Sequence, residues 1–308
     1  MSEAVEKGAN GSTVENEGRI VKALSGFYYV RAGDETIECR ARGLFRLEGV
    51  SPLVGDRVRF KRSEKGKGVI TELLERRNAL KRPSVANIDL LVIVAAAVIP
   101  VTDSYLIDRV SVIAVHNDCD VVICVNKSDL NRGEYFDDIY GKTGFKLIHT
   151  SAVTGEGIAE LREAVNGKMS AFTGNSGVGK SSILNAFDPA FAIEVGEVSV
   201  KLGRGRHTTR HVELFALGGE TYIADTPGFA SFDVEQMEGL HKDEMQYCFP
   251  EFEPFLLTCR FNDCVHLKEP GCSILDAVRD GAISPSRHSS YARLYELAAQ
   301  VQDWERKK

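Results

Sequence analysis

The pattern of apolar and polar positions divides the chain into segments with different periods. Residues 16–82 contain short β-rich runs, "GRIVKALSGFYYVRAG", "ETIECRARGLF" and "GDRVRFKRSEKGKGVITELLER", separated by Gly, Asp and Ser. This punctuation predicts about five short strands. Strands of this number and length fit a small closed barrel, for which the OB-fold is the leading candidate and an SH3-like barrel is the alternative.

In residues 83–236, apolar strands alternate with helical stretches. "DLLVIVAAA", "DVVICVN", "FKLIHTS" and "KMSAFTG" are apolar runs, and "YLIDRVSVIAVHN" and "GIAELREAVNG" have helical character. This βαβ rhythm predicts a parallel, doubly wound α/β sheet. Two further strands, "HVELFAL" and "TYIADTPG", complete it.

The two ends of the chain differ from these segments. Residues 237–308 are helical and irregular and end in a predicted amphipathic helix, "HSSYARLYELAAQVQDWERKK". Residues 1–15 are polar and acidic, which predicts a disordered tail and no secretory signal. The longest apolar run, from Leu90 to Pro100, is too short to span a bilayer. We therefore expect a cytoplasmic protein without a membrane partner.

Charge is unevenly distributed along the chain. Residues 16–82 hold 16 Lys or Arg against 9 Asp or Glu, a net of +7 in a chain whose net charge is −6. A basic module on an acidic body indicates polyanion binding through that module. A solvated basic face without a partner is the alternative reading of the same numbers.

The segment "TGNSGVGKSS" has the composition of a phosphate-binding loop. Gly174, Gly179, Lys180 and Ser181 satisfy the pattern G-x-x-x-x-G-K-[ST], between an apolar strand and a predicted helix. In such loops backbone N–H groups surround phosphate oxygens, the Lys neutralises the β- and γ-phosphates, and the hydroxyl binds Mg²⁺. The nucleotide-binding residues predicted here are Gly174, Asn175, Ser176, Gly177, Val178, Gly179, Lys180, Ser181 and Ser182.

Two further motifs predict the rest of a guanine nucleotide site. "DTPG" ends a strand, so Asp225 is expected in the Mg²⁺ shell and Gly228 at the γ-phosphate. "NKSD", which includes Asn126 and Lys127, closes another strand, and its Asp129 carboxylate can accept the N1 and N2 hydrogen bonds of guanine, which adenine lacks. "TSA" follows the next strand; it contains Ser151 and Ala152, and a backbone N–H there is expected to meet the guanine O6. Alone, "NKSD" reads equally well as a polar turn.

The order of these motifs is unusual. The guanine-reading segments precede the phosphate loop, and "DTPG" follows it. A closed site tolerates this order, because the strands keep their places in the sheet while the chain ends move. The sequence therefore predicts a circularly permuted P-loop GTPase domain.

Four of the seven cysteine and histidine positions near the C-terminus form a compact pattern. Cys259, Cys264, His266 and Cys272 read C-x₄-C-x-H-x₅-C. Three thiolates and one imidazole make a closed tetrahedral set, which favours one structural Zn²⁺ over a catalytic metal. Four unconnected loop residues are the alternative.

The whole set resembles the circularly permuted GTPases, and within them the small-ribosomal-subunit-dependent GTPase A family. The resemblance rests on the N-terminal barrel, the permuted order, "GNSGVGKSS", "GRGRHTTRH", "DTPGF" and the Cys/His motif. It implies GTP hydrolysis stimulated by the small ribosomal subunit, in late maturation of that subunit, with rRNA bound through the barrel and the zinc domain. The implied domains are residues 16–82 (OB-fold), 83–236 (GTPase) and 237–308 (zinc-binding and helical), in a monomer.

The segment "GRGRHTTRH" carries the predicted switch. By resemblance Thr209 ligates Mg²⁺ together with Ser181, with Thr208 as the alternative. Phe229 stands where many GTPases have the water-orienting Gln, so the catalytic group must come from elsewhere. The resemblance points to His207, for which a solvated loop histidine is the alternative role.

Three functions remain open on the sequence alone. The protein is a GTPase that docks on ribosomal RNA, an RNA-binding sensor of GTP and GDP with negligible turnover, or a zinc scaffold with a degenerate loop. Intact Lys180, Ser181, Asp225 and Asp129 argue against the scaffold.

Overall fold

A computed structural model gives the fold of residues 15–43, 45, 49–63, 66–81, 84–188, 212–225 and 240–305. The chain divides into two compact units, Met1–Arg76 and Arg77–Lys308.

The first unit is a five-stranded barrel. Its strands are β1 (Glu15–Leu24), β2 (Phe27–Ala32), β3 (Glu35–Ala41), β4 (Arg57–Arg62) and β5 (Gly68–Leu73). Neighbours follow the order β1-β2-β3-β5-β4, and β1 also pairs with β4, which closes the sheet. The parallel pairing of β3 with β5 and this closure give an OB-fold, so the first of the two barrel predictions is confirmed.

The barrel interior is filled by alternating apolar side chains. Val58 and Phe60 of β4 are fully buried, and the residues that alternate with them, Arg57, Arg59 and Lys61, face outward. This period of two is the one that the sequence pattern predicts for half-buried strands.

The described part of the second unit is built on six neighbouring strands. After a short hairpin of β6 (Ala79–Lys81) and β7 (Ser84–Ala86), the sheet strands are β8 (Leu90–Ala96), β9 (Asp120–Asn126), β10 (Lys146–His149), β11 (Met169–Thr173), β12 (Glu213–Gly218) and β13 (Thr221–Asp225). Their order is β10-β9-β8-β11-β13-β12, and of these strands only β12 runs antiparallel to its neighbour in this order. All seven residues of β8 are buried, as expected for a central parallel strand covered on both faces.

The helices described between these strands are α1 (Ser104–His116), α2 (Tyr135–Tyr140), α3 (Ile158–Val165) and α4 (Lys180–Phe187). The strand β11 comes late in the chain but pairs with β8 on one side and β13 on the other. The carboxyl ends of the parallel strands therefore meet at one edge, and the loops that follow them collect there.

The C-terminal part of this unit is helical. It contains two 3₁₀ helices, Lys242–Cys248 and Pro250–Thr258, followed by α5 (Ser273–Arg279) and α6 (Pro285–Glu305). The buried residues of α6 include Arg287, Tyr291, Leu294 and Ala298, a spacing of three or four that places them on one face. The helices that the structure describes include none long and apolar enough to cross a membrane.

A buried ion pair network joins α6 to the helices of the sheet. The fully buried Arg287 donates to both oxygens of Glu251 at 2.6 and 3.1 Å, and to Asp108 of α1 at 2.8 Å. Tyr140, the last residue of α2, donates to the same Asp108 oxygen at 2.9 Å. Sequence reasoning missed this network, because nothing local marks one arginine of a helix as buried.

Candidate functional site

The predicted phosphate loop follows β11 and leads into α4. Gly174 has a φ of +137°, and a Cβ there would lie 2.1 Å from the carbonyl oxygen of Val94. Gly179 has a φ of +98°, and a Cβ there would lie 2.3 Å from the Asn126 side-chain nitrogen. Both positions therefore require glycine, for their backbone conformation and for the close approach of neighbouring strands.

Lys180 is the first residue of α4, and its side chain folds back over the loop. Its Nζ donates hydrogen bonds to the carbonyls of Gly174 at 2.5 Å and Asn175 at 2.9 Å. Burial of the ammonium lowers the pKa of Lys180 to about 8. The loop thus holds a positive charge that water stabilises poorly, at the N-terminus of a helix whose free N–H groups also favour anions.

Asn126, the last residue of β9, connects three parts of the site. Its buried side chain donates to the carbonyl of Val178 in the phosphate loop at 2.8 Å. Its oxygen accepts from the Thr150 hydroxyl at 3.3 Å and from the Ala152 amide at 3.4 Å. One amide side chain therefore fixes the "NKSD" and "TSA" segments against the phosphate loop.

The other residues of "NKSD" lie at the same edge of the sheet, closer to solvent. Lys127 has a φ of +65°, and its Nζ donates to the carbonyl of Ile99 at 2.9 Å. The Ser128 hydroxyl donates to Glu156 at 2.8 Å. Asp129 is exposed, which leaves its carboxylate accessible from solution.

Ser151 is buried and shapes the loop after β10. Its hydroxyl accepts from the backbone amides of Val153 and Thr154 at 3.3 and 3.1 Å. The amide of Ser128 donates to the Thr150 carbonyl at 3.0 Å, so the two predicted guanine-reading loops are also joined through backbone. Ile99 and Glu156 are the site residues that sequence reasoning missed, because their contacts are long-range.

Several predicted residues lie outside the part of the chain that the structure describes. These are His207, Thr209 with its alternative Thr208, Gly228 and Phe229. The backbone of Asp225 ends β13, next to β11, in which Ala171 pairs with Ala224. The strand thus delivers residue 225 to the edge that carries the phosphate loop.

The four predicted zinc ligands meet in space. The sulfur atoms of Cys259, Cys264 and Cys272 and a ring nitrogen of His266 all lie within 4.8 Å of one another. His266 Nδ1 is 3.5 Å from Cys259 Sγ and 3.4 Å from Cys272 Sγ, and these two sulfurs are 4.0 Å apart. A tetrahedral Zn²⁺ with Zn–S bonds of about 2.3 Å separates its ligand atoms by roughly 3.3–3.8 Å, so the donor set and its spacing can hold zinc.

A second layer of contacts orients these ligands. His266 is buried, and its Nε2 lies 2.8 Å from Gln246 Oε1, which leaves Nδ1 to face the cysteines. Its backbone carbonyl accepts from His288 Nε2 at 2.7 Å. Such outer partners fix the tautomer and the ring orientation of a metal-binding histidine. Gln246 and His288 could not be found from the spacing of the ligands.

The phosphate loop on β11, the "NKSD" loop on β9 and the permuted order of the strands that carry them define a circularly permuted P-loop GTPase. Family models agree: one described as RsgA GTPase matches residues 73–235, and one described as RsgA N-terminal domain matches residues 17–70. The chain belongs to the RsgA GTPase family. The predicted fold class and the predicted activity, GTP hydrolysis, are thereby confirmed.

Relatives similar to the chain cover most of it. The small ribosomal subunit biogenesis GTPase RsgA of Caldanaerobacter subterraneus subsp. tengcongensis is 43% identical over 281 residues, which are 90% of this chain and 94% of the relative. The protein of the same name from Geobacillus thermodenitrificans is 44% identical over 282 residues, which are 89% and 94% of the two chains.

Solved structures agree with the fold. YjeQ from Thermotoga maritima has a TM-score of 0.80 and 35% identity, with 93% of this chain and 99% of that chain covered. YloQ, described as a circularly permuted GTPase, has a TM-score of 0.78 and 33% identity, with coverage of 95% and 98%.

Proposed function

We propose that this GTPase acts in the biogenesis of the small ribosomal subunit, that it binds the rRNA of that subunit in the cytoplasm, and that binding accelerates its GTP hydrolysis. The relatives at 43–44% identity bear the name of small ribosomal subunit biogenesis GTPases. The observation that carries the nucleotide-binding part of the proposal is the Asn126 side chain, which hydrogen-bonds both to the phosphate loop and to the "TSA" segment, so the segments expected to bind phosphate and guanine are held together.

The phosphate end of the nucleotide would lie against the loop from Gly174 to Ser182. Lys180, already held over the loop, would exchange its contacts with two carbonyls for contacts with phosphate oxygens. Ser181, Thr209 and Asp225 would hold Mg²⁺, directly or through its water shell, and Gly228 would donate its N–H to the γ-phosphate. Bound Mg²⁺ would neutralise the charge that develops on the phosphate oxygens.

The guanine end would lie between "NKSD" and "TSA". Asp129 would accept from N1 and N2 of the base, and the Lys127 stem would line the base. Amides near Ser151 and Ala152 would donate to O6. Adenine would leave the carboxylate of Asp129 without donors, which is the physical basis of the expected selectivity.

The attacking water needs a partner other than Phe229. We assign this role to His207, whose imidazole would orient or deprotonate the water near neutral pH. The barrel and the zinc-bearing segment would contact rRNA, with zinc in a structural role.

The competing function is an RNA-binding nucleotide sensor with negligible turnover. Steady-state GTP hydrolysis measured with and without purified small subunits separates the two. We expect slow turnover that rises strongly with small subunits and stays flat with large subunits. A flat rate with both subunits would favour the sensor.

A further inference from the structure

The outer face of β2 and β3 combines aromatic rings with cations. Val30 of β2 pairs with Ile37 of β3, and both are buried in the barrel. Because side chains alternate along a strand, Phe27 and Tyr29 of β2 face outward. Their partners on β3 are Arg40 and Glu38, in the same order, so one aromatic ring stands beside a cation.

Phe27 is the centre of this group. The Arg40 guanidinium carbon lies over its ring, 4.7 Å from the centroid, and Lys67 Nζ lies 5.9 Å from it. Arg40 and Lys67 are exposed, whereas Phe27 and Tyr29 are partly exposed. Glu38 accepts a hydrogen bond from Lys67 at 2.8 Å, which holds that ammonium beside the Phe27 ring.

The face of β4 has a different character. Its central cation, Arg59, contacts two carboxylates, Glu17 at 3.0 Å and Glu72 at 2.8 Å. The neighbouring outward residues of β4 are Arg57 and Lys61, so β4 itself brings no aromatic ring to this face. The face of β4 therefore carries a cation paired with carboxylates, whereas the face of β2 and β3 places cations against an aromatic ring.

We propose that Phe27, Tyr29, Arg40 and Lys67 form a platform on which unpaired RNA bases stack. The proposal rests on the RNA binding of the proposed function and specifies its substrate class as single-stranded rather than duplex RNA. Alternate residues on a strand are about 7 Å apart, which allows neighbouring splayed bases to use neighbouring side chains.

The chemistry of this face explains the choice of substrate. Arg40 covers one face of Phe27, but a guanidinium is planar and presents its other face, on which a base can stack. Bases inside a duplex have no free face for such contacts, whereas unpaired bases do. Lys67 stands where it can meet the phosphate that links two stacked nucleotides.

Fluorescence titration of the full chain tests the platform. The probe is a fluorescein-labelled RNA of 12 nucleotides without self-complementarity, compared with a blunt duplex of the same length. Phe27→Ala should weaken binding of the single strand by about 10-fold, since a stacked base contributes on the order of 1–3 kcal/mol. Phe27→Trp should retain the affinity, because it keeps a ring.

The matched control is Arg59→Ala on the other face of the barrel. It should change the single-strand affinity by less than about 2-fold, because its charge is already balanced by two carboxylates. Lys67→Ala should lower the slope of log K against log salt by about 0.7, the value for one phosphate contact in a single strand.

Two results would overturn the platform: wild-type affinity in Phe27→Ala, or equal losses for single strand and duplex. Rescue by Phe27→Trp with the duplex unaffected would support it. Hydrolysis stimulated by small subunits is measured on the same preparations. If small subunits stimulate hydrolysis by the wild type but Phe27→Ala binds RNA normally, only the platform is rejected. If small subunits do not stimulate the wild type, the proposed function itself is rejected.

Discussion

At the scale of residues, the site depends on polar side chains whose partners lie far away in the sequence. Asn126 reaches a loop that follows it by about fifty positions, and Ser128 reaches Glu156 on the loop after another strand. Such contacts fix the geometry of a nucleotide pocket before the ligand arrives, which is how a protein limits the entropy that binding costs.

Glu156 should position the guanine-reading loops. Glu156→Ala removes the acceptor of the 2.8 Å hydrogen bond from Ser128, so GTP and GDP affinities should fall alike by about 5–10-fold. Titration with fluorescent GDP and GTP measures this. Glu160→Ala is the control, because Glu160 contacts only Lys146 at the surface among the described ion pairs. Unchanged affinities in Glu156→Ala would contradict the role.

The lowered pKa of Lys180 predicts that nucleotide binding takes up a proton. Above about pH 8 the free ammonium loses its proton, whereas bound phosphate favours the charged form. At pH 8.5, GDP binding should therefore take up roughly three quarters of a proton, and affinity should fall as pH rises further. Calorimetry in two buffers of different ionisation enthalpy measures the uptake.

The control for this proton uptake is Lys180→Arg. Its guanidinium stays charged throughout this range, so the uptake at pH 8.5 should disappear. Equal uptake in both proteins would assign the proton to another group.

His207 should act on turnover and not on affinity. We expect His207→Ala to keep GTP affinity and to lower subunit-stimulated turnover by about 100-fold, the usual contribution of a general base or a water-positioning group. Single-turnover hydrolysis with small subunits measures the effect, with His211→Ala as the control. Full stimulated activity in His207→Ala would return it to a solvated loop residue.

At the scale of elements, the segment that carries the Cys/His cluster has little secondary structure to stabilise it. The described residues from Cys259 to Cys272 contain no helix or strand, and the four candidate ligand atoms lie within 4.8 Å of one another. A metal bound by these atoms would stabilise a segment that has no regular hydrogen-bonded structure of its own.

Loss of one ligand should therefore release the metal. Cys264→Ser should lower bound zinc from about one per chain to a small fraction, and it should expose the segment to protease while the GTPase core stays folded. Elemental analysis and limited proteolysis measure this. Cys248→Ser, which removes a buried thiol outside the cluster, should keep the zinc. Normal zinc content in Cys264→Ser would remove Cys264 from the ligand set.

At the scale of the whole second unit, a buried charge cluster joins the C-terminal helix to the sheet. Arg287 is fully buried and has carboxylates on two sides, Glu251 and Asp108. Its guanidinium also lies over the Phe249 ring, 4.5 Å from the centroid. The charges are costly to bury, so they stabilise the fold only while all the partners are present.

Arg287→Met should destabilise this unit by about 3–5 kcal/mol, because two carboxylates remain buried without a counter-charge. Urea unfolding measures the change in the free energy of unfolding. Arg293→Met, on the same helix but exposed, should cost less than about 1 kcal/mol. Arg287→Met combined with Asp108→Asn and Glu251→Gln should recover part of the loss. No recovery would show that packing, not charge, explains the effect.

The sequence by itself determined the α/β succession, the phosphate loop, the permuted order and the four members of the Cys/His cluster. All of these depend on local periodicity or on fixed short spacing, which can be read from the sequence without knowing which segments are neighbours in space. The sequence did not distinguish an OB-fold from an SH3-like barrel, since the strands of both have the same alternation of apolar and polar residues. The pairings of β1 with β4 and of β3 with β5 decided for the OB-fold, and pairing between distant strands is not encoded in either strand alone.

The tertiary structure alone showed that Glu156 accepts a hydrogen bond from Ser128, that Gln246 contacts the His266 ring, and that Arg287 is buried between carboxylates. Each of these residue types is common on surfaces, and nothing near it in sequence distinguishes the buried case. Their positions follow from which strands and helices become neighbours, and the free energy that selects those neighbours comes from burial across the whole unit.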